Sequence, residues 1–132
     1  ATATGLENAE TAVSEVALFS VIRPGRVVAA KLANQTTVAE NSTDCAYITL
    51  GKSTAGAAST TFAFWNTGAV TAAAGGIAAN GGALTKWVPA TLGLAPNADA
   101  TLAAGDVVTY TKTATLTGGI VDGAIVVDVE EI

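Results

Sequence analysis

The chain has 132 residues, half of them hydrophobic, with a formal net charge of -5 and only 13% charged side chains. One domain of this size buries about two-thirds of its unfolded surface without cross-links, and six scattered Lys and Arg exclude a partner that tracks nucleic-acid phosphates. With no His and a single cysteine, Cys45, the common zinc, haem, Ser-His and Cys-His devices are excluded, as is an internal disulfide.

Residues 1–14 open on small and polar side chains and read as an N-terminal arm outside the main core, residues 15–132 forming the domain proper. A helical turn is the alternative there, because Thr4 and Glu7 have capping-box spacing and Leu6, Ala9, Val13 and Ala17 recur every three or four residues. Glu15 to Ile22 is β-branched and aromatic and ends at Arg23-Pro24-Gly25, so it predicts a first strand and a turn. Arg26 to Asn34 alternates Val28, Ala30 and Leu32 against Val27, Ala29 and Lys31, a second strand. Gln35 to Asp44 reads as a loop with a short pairing around Thr37 and Val38, and Cys45 to Gly51 as a third strand, with Tyr47 and Thr49 opposing Ala46, Ile48 and Leu50.

Thr60 to Asn66 predicts an aromatic strand with Phe62 and Phe64 on one face and Trp65 on the other. Thr67 to Gly82 is Gly- and Ala-rich and packs little side-chain area, so it is expected as a long surface excursion ordered against something else, with a small-residue helix at Val70 to Ala74 as the alternative. Leu84 to Val88 and Ala90 to Leu94 read as short strands broken by Pro89, and Pro96, Asn97 and Asp99 as a turn. The run from Gly105 to Ile132 reads as an antiparallel hairpin turning around Gly118, Gly119, Asp122 and Gly123. Its second strand sets Ile125, Val127 and Val129 against Val126, Asp128 and Glu130. Seven to nine short strands with turn signals roughly every ten residues predict an all-β, antiparallel β-sandwich or barrel.

Of the hydrophobic residues 29 are Ala and seven are aromatic, which predicts a thin core, the kind two packed sheets make. So few charges leave a neutral surface, part of which is expected to lie against other subunits. No apolar run approaches the roughly 20 residues of a membrane helix, so no membrane partner is expected. Ala1 and the lack of Met fit a cytoplasmic product with a trimmed initiator.

No residue takes a catalytic, cofactor-binding or metal role. The pairs Gly75-Gly76 and Gly81-Gly82 lack the Lys-Ser/Thr of a phosphate loop, and Asp99, Asp106, Asp122 and Asp128 match no calcium-loop spacing. Glu130 and Glu131 fall on opposite faces of a strand and read as solvated edge charges, Asn34-Gln35-Thr36 and Asn41-Ser42-Thr43 as chance sequons, and Cys45 as a small buried hydrophobe. Trp65 and Trp87 either plug the thin core, the first reading, or anchor an interface. Leu6, Val13 and Val16 are the further interface candidates, since their apolar side chains have no other evident home.

The order of segments is familiar: a strand ending in Pro-Gly, RVVAAKL, a polar loop, CAYITLGKSTAG, an Ala/Gly/Thr excursion, ATLGL, LAAGDVVTYT and a closing IVVDVEE. It resembles the small cement, or decoration, proteins on the heads of tailed bacteriophages, those of short-tailed Bordetella-type phages above all, over residues 15–131. The resemblance implies a jelly-roll-like sandwich with no catalytic residues. It also implies a homo-oligomer, dimeric or trimeric, made in the host cytoplasm and bound to the outer capsid surface, where it bridges neighbouring major capsid subunits. A tail or head-fibre component is the alternative within structural proteins. A carbohydrate-binding module using Trp65 or Trp87 is the alternative from another class.

Overall fold

The computed structural model describes residues 2–6, 13–43, 45–68, 71–73, 77–96, 100–114 and 123–132. Its long strands are β1 (Thr2–Leu6), β2 (Val13–Ser20), β3 (Gly25–Asn34), β4 (Ala46–Ser53) and β5 (Thr60–Asn66), and near the end β11 (Val107–Ala114) and β12 (Gly123–Glu131). Between them lie the short β6 (Thr71–Ala73), β7 (Ile77–Asn80), β8 (Ala90–Thr91), β9 (Gly93–Leu94) and β10 (Thr101–Leu102). The described residues contain no helix. Among the described residues twelve strands stand where seven to nine were expected, because short pairings break the middle of the chain into fragments.

Ten of the described strands make two antiparallel sheets packed face to face, and β6 and β7 form a separate two-stranded one. One runs β1-β12-β3-β10 with β8 also paired to β3, and the other runs β2-β11-β4-β5-β9. The pairing is nested: β1 with β12, β2 with β11, β3 with β8 and β10, and β4 with β5. A chain that pairs its beginning with its end in this way is a long antiparallel ribbon. Wound around a core, it gives the two Greek keys of a jelly roll.

That winding corrects the expected closing hairpin. β11 lies between β2 and β4, whereas β12 lies between β1 and β3 in the opposite sheet, so the two strands are sequential without being paired. The period-two pattern fixes which side chains face inward, and it carries no information about which strand lies alongside. Within residues 1–14, read from sequence as an arm, Thr2–Leu6 forms β1 along the edge of the first sheet and Val13 and Ser14 begin β2. The helical alternative there does not occur in β1.

The core fills from both sheets. Ile125 and Val127 of β12 and Ala46, Ile48 and Leu50 of β4 are buried, with Tyr47 outward, as their alternation predicts. β3 departs from its expected alternation, because Asp128 pairs with Ala29 and Val129 with Val27, leaving Val28 unopposed. This bulge flips the phase, so that Val27 is buried with Ala30 and Leu32 while Val28 is exposed. Phe62 is likewise unopposed in β5, between Leu50↔Ala63 and Gly51↔Thr61. Trp65 pairs across from Ile48 and therefore shares its side of the sheet, while Phe64 sits opposite Thr49 and meets the Tyr47 ring at 6.1 Å. Residues Phe62 to Asn66 are nonetheless all buried, so β5 is covered on both faces.

The Gly/Ala-rich excursion is part of the domain. β6 and β7 pair with each other, so residues 71–73 of the helix considered at Val70 to Ala74 are strand, its two end residues lying outside the described ones, and Ile77 joins the core. ATLGL switches sheets: β8 pairs with β3, β9 pairs with β5, and Leu92 between them is buried, its N–H donating to the Ala30 carbonyl at 2.9 Å. Leu84 makes one bridge with Val38, in place of the strand expected at Leu84 to Val88. The expected turn residues Asn97, Asp99, Gly118, Gly119 and Asp122 lie outside the described residues.

Candidate interaction surface

The two tryptophans take opposite roles. Trp65 is 8% exposed on the core-facing side of β5, and its Nε1–H donates to the Gly82 carbonyl at 3.2 Å, so its polar edge is satisfied without a partner. This corrects its place among the interface candidates. Trp87 is 62% exposed at the tip of a turn, with φ at +62°. Left-handed backbone costs a bulky L-residue roughly 1–2 kcal/mol. Three hydrogen bonds hold it there: Trp87 N–H to the Asn34 carbonyl at 3.0 Å, Val88 N–H to the Thr85 carbonyl at 3.0 Å, and Lys86 N–H to the Thr37 hydroxyl at 3.1 Å. The Lys86 ammonium lies 5.7 Å from the ring centroid, so the displayed ring also carries its own cation.

Beside this tip lies a groove of about 310 Å³ whose walls include Asn80, Thr85, Val88, Pro89 and Thr91, with Trp65 among its lining. Thr85 and Val88 line it, and Trp87 between them in sequence is not part of the lining. Pro89 lies outside any strand, between the tip and β8 (Ala90–Thr91). Asn80 reaches across to donate to the Thr91 carbonyl, closing one end.

The outer face of the first sheet is the second apolar surface. Val28 is 43% and Val126 39% exposed, and a shallow depression of about 300 Å³ is lined by Ala29, Lys31, Val126 and Asp128. The sequence signal for Val126 was its place on the wet side of β12; the exposure of Val28 arises from the bulge and has no local signal. Of the arm candidates, Val16 is exposed on edge strand β2. Leu6 and Val13 have their backbones in β1 and β2, and their side chains lie outside what the structure describes.

Several other polar residues have structural partners. Glu130 and Glu131 form exposed ion pairs with Arg26 at 2.8 Å and Arg23 at 3.1 Å, each worth little in solvent. Asp106 is buried in the turn before β11, where it accepts the Ala103 N–H at 2.8 Å and the Thr54 hydroxyl at 2.7 Å. These two bonds hold its carboxyl below the ordinary value against the opposing cost of burial, and the Lys52 charge adds to them. The Glu15 carboxylate accepts the hydroxyls of Ser59 and of Thr109, tying β2 to β11 and to the start of β5. Asn34 is buried, and its amide donates to the Thr36 carbonyl at 2.6 Å, so that sequon is closed to modification in the folded chain. Cys45 is buried as expected. No group of three or more Cys, Asp or Glu capable of holding a metal occurs among the described residues, and those residues include no helix long and apolar enough to cross a membrane.

No protein-family model matches the chain, and no curated protein and no solved structure matches it either.

Proposed function

We propose that this chain is a capsid cement protein of a tailed bacteriophage, a structural component that binds the outer shell surface and bridges neighbouring major capsid subunits. The observation that carries the reading is the exposed apolar surface of a sandwich that also has a separate buried core. Val28 and Val126 stand on the first sheet's outer face, and Trp87 and Val88 at its end, where the N–H of Trp87 bonds the last residue of β3. Grouped exposed hydrophobics of this kind mark surfaces that meet other proteins. The jelly-roll winding agrees with what the sequence resemblance implies, and of the carboxylates weighed for chemistry Asp106 is engaged in a turn and Glu130 and Glu131 in ion pairs.

The mechanism needs no chemistry. A protein that binds the assembled, expanded shell and not its dissociated subunits shifts the equilibrium toward the shell by mass action, so many weakly bound copies suffice. The outer face of the first sheet, with Lys31 and Asp128 beside Val28 and Val126, is the surface we assign to the capsid. The sugar-binding alternative loses a platform with the burial of Trp65.

The test is cosedimentation of the purified protein with expanded and unexpanded shells, paired with the melting temperature of the shells. Saturable binding to expanded shells that raises their melting temperature is expected, and a face variant, Val126→Asp, should bind more weakly. Absence of binding to both shell forms would refute the reading.

A further inference from the structure

Of the six asparagines in the chain, Asn80 alone is followed by glycine. It ends β7 in the wall of the groove, half-buried, and both halves of its carboxamide are engaged. The amide nitrogen Nδ2 donates to the Thr91 carbonyl, and the oxygen Oδ1 accepts the N–H of Gly81 at 3.0 Å. The backbone is pinned on both sides, before by the pairing of Asn80 with Thr71 and after by the Gly82 N–H, which donates to the Asn66 carbonyl at 2.8 Å. The Gly81 nitrogen is therefore held beside the Asn80 side chain, its hydrogen directed at that side chain rather than at a neighbouring strand. No Cβ crowds this nitrogen, and at φ +157° Gly81 keeps the freedom to turn toward the carboxamide carbon.

We propose that Asn80-Gly81 is a self-modification site, at which the folded chain converts its own asparagine to aspartate or isoaspartate through a cyclic imide. The Gly81 nitrogen loses its proton to hydroxide and bonds to Cγ of Asn80, closing the ring. The Cγ–Nδ2 bond breaks, and Nδ2 leaves as ammonia with a proton taken from water. Water then adds to one of the two ring carbonyls. Opening at Cγ leaves an aspartate on an unchanged backbone, whereas opening at the main-chain carbonyl routes the chain through Cβ and Cγ and makes an isoaspartate, one carbon longer. Solvent water is the only co-reactant, and nothing is oxidised or reduced. Either product ends the tie to Thr91, because a carboxylate has no hydrogen to donate to that carbonyl. Either also puts a negative charge into the wall of a groove whose lining carries none. The change is one-way, paced by time and pH, and it releases the end of β7 from β8. It does not rest on the capsid reading.

The experiment is peptide mapping by mass spectrometry after the intact, folded chain has been incubated at neutral and at mildly alkaline pH, with fragmentation that separates aspartate from isoaspartate. Assignment by peptide keeps this site apart from Asp122-Gly123, which can form isoaspartate by the same route without a change of mass. The mass gain of an amide-to-acid exchange should accumulate at position 80 about tenfold or more faster than at the other asparagines, each of which precedes a residue with a Cβ. The rate should rise with pH, because the attacking nitrogen must lose its proton. Gly81→Ala, which sets a Cβ beside that nitrogen, should slow the exchange by about tenfold or more. Where that variant fails to fold, Asn80→Gln keeps the amide and moves its carbon out of easy reach, with the same slowing expected. Asn80→Asp, which carries one product from the start, should melt below fresh wild type, and aged wild type should shift toward it. A position 80 that stays an amide in the folded chain while the urea-unfolded chain converts would overturn the proposal, as would conversion no faster than at the other asparagines. An Asn80→Asp variant that melts like wild type would overturn the release of β7.

Discussion

Replacing Trp87 with Gly and with Ala provides a test whose sign, rather than size, carries the information. Both substitutions remove the same ring and forfeit the same contacts, so that loss cancels between them. What remains is the backbone: Ala keeps the left-handed conformation at φ +62°, and Gly relieves it. Relief is worth roughly 1–2 kcal/mol, against about 0.4–1 kcal/mol that Gly loses through the greater freedom of its unfolded chain. The Gly variant should therefore be the more stable by roughly 0.5–1 kcal/mol, the reverse of the usual order at ordinary backbone positions. Urea unfolding of the two variants at equal m-value reads the difference as a midpoint higher by a few tenths of a molar for Gly. An Ala variant as stable as Gly or more so would refute the strained, displayed tip.

Trp65→Ala should cost about 3–5 kcal/mol in the same assay, since the ring is 8% exposed in the core and its N–H is bonded to Gly82; a loss below 1 kcal/mol would contradict its core role. The turn Thr54 to Ala57, within the connection from β4 to β5, has Ala55 at φ +52° and Gly56 at +78°, both left-handed, with Ala57 N–H donating to the Thr54 carbonyl at 3.0 Å. Ala55→Asn should raise the thermal midpoint by a stabilisation of about 1 kcal/mol, and a lowered midpoint would count against that turn. Asp106 has a depressed folded pKa, so the stability it contributes is fully present above the unfolded value of about 3.9 and is lost as pH falls through the lower folded value. Asp106→Asn should lower stability at neutral pH and flatten its decline below pH 4; an unchanged acid profile would show that the Ala103 and Thr54 bonds do not hold the carboxylate.

Much of the strand inventory was legible because the sheets are wet on one side. Ala46, Ile48 and Leu50 against Tyr47, and Ile125 and Val127 against Val126 and Asp128, follow directly from period two. Partnership was not legible. β12 lies between β1 and β3, and β11 between β2 and β4, contacts set by winding the whole ribbon rather than by any neighbouring turn. Bulges were equally hidden: the extra Val28 opposite Asp128 and Val129 inverts the faces of β3 with no glycine or proline to announce it. Ile77 shows the opposite failure, since low side-chain volume around it suggested an excursion and one isoleucine was enough to anchor the hairpin in the core.

The candidate surface was half visible. Composition singled out Trp65 and Trp87 as the large rings in an Ala-rich chain, yet their separation into buried plug and exposed tip depends on the Ile48 register for one and the Asn34 hydrogen bond for the other. Neither is encoded within a few residues of the ring. The groove was invisible for the same reason, because the turn after β7 and the chain leading into β8 meet only in the folded domain.

The cement account is tested most directly by counting copies of this chain on purified particles before and after a mild wash, by quantitative gel against the major capsid protein. It predicts hundreds of copies per particle, retained through the wash. A dozen or fewer would assign the chain to a tail or fibre instead, and its absence from particles would contradict the account altogether.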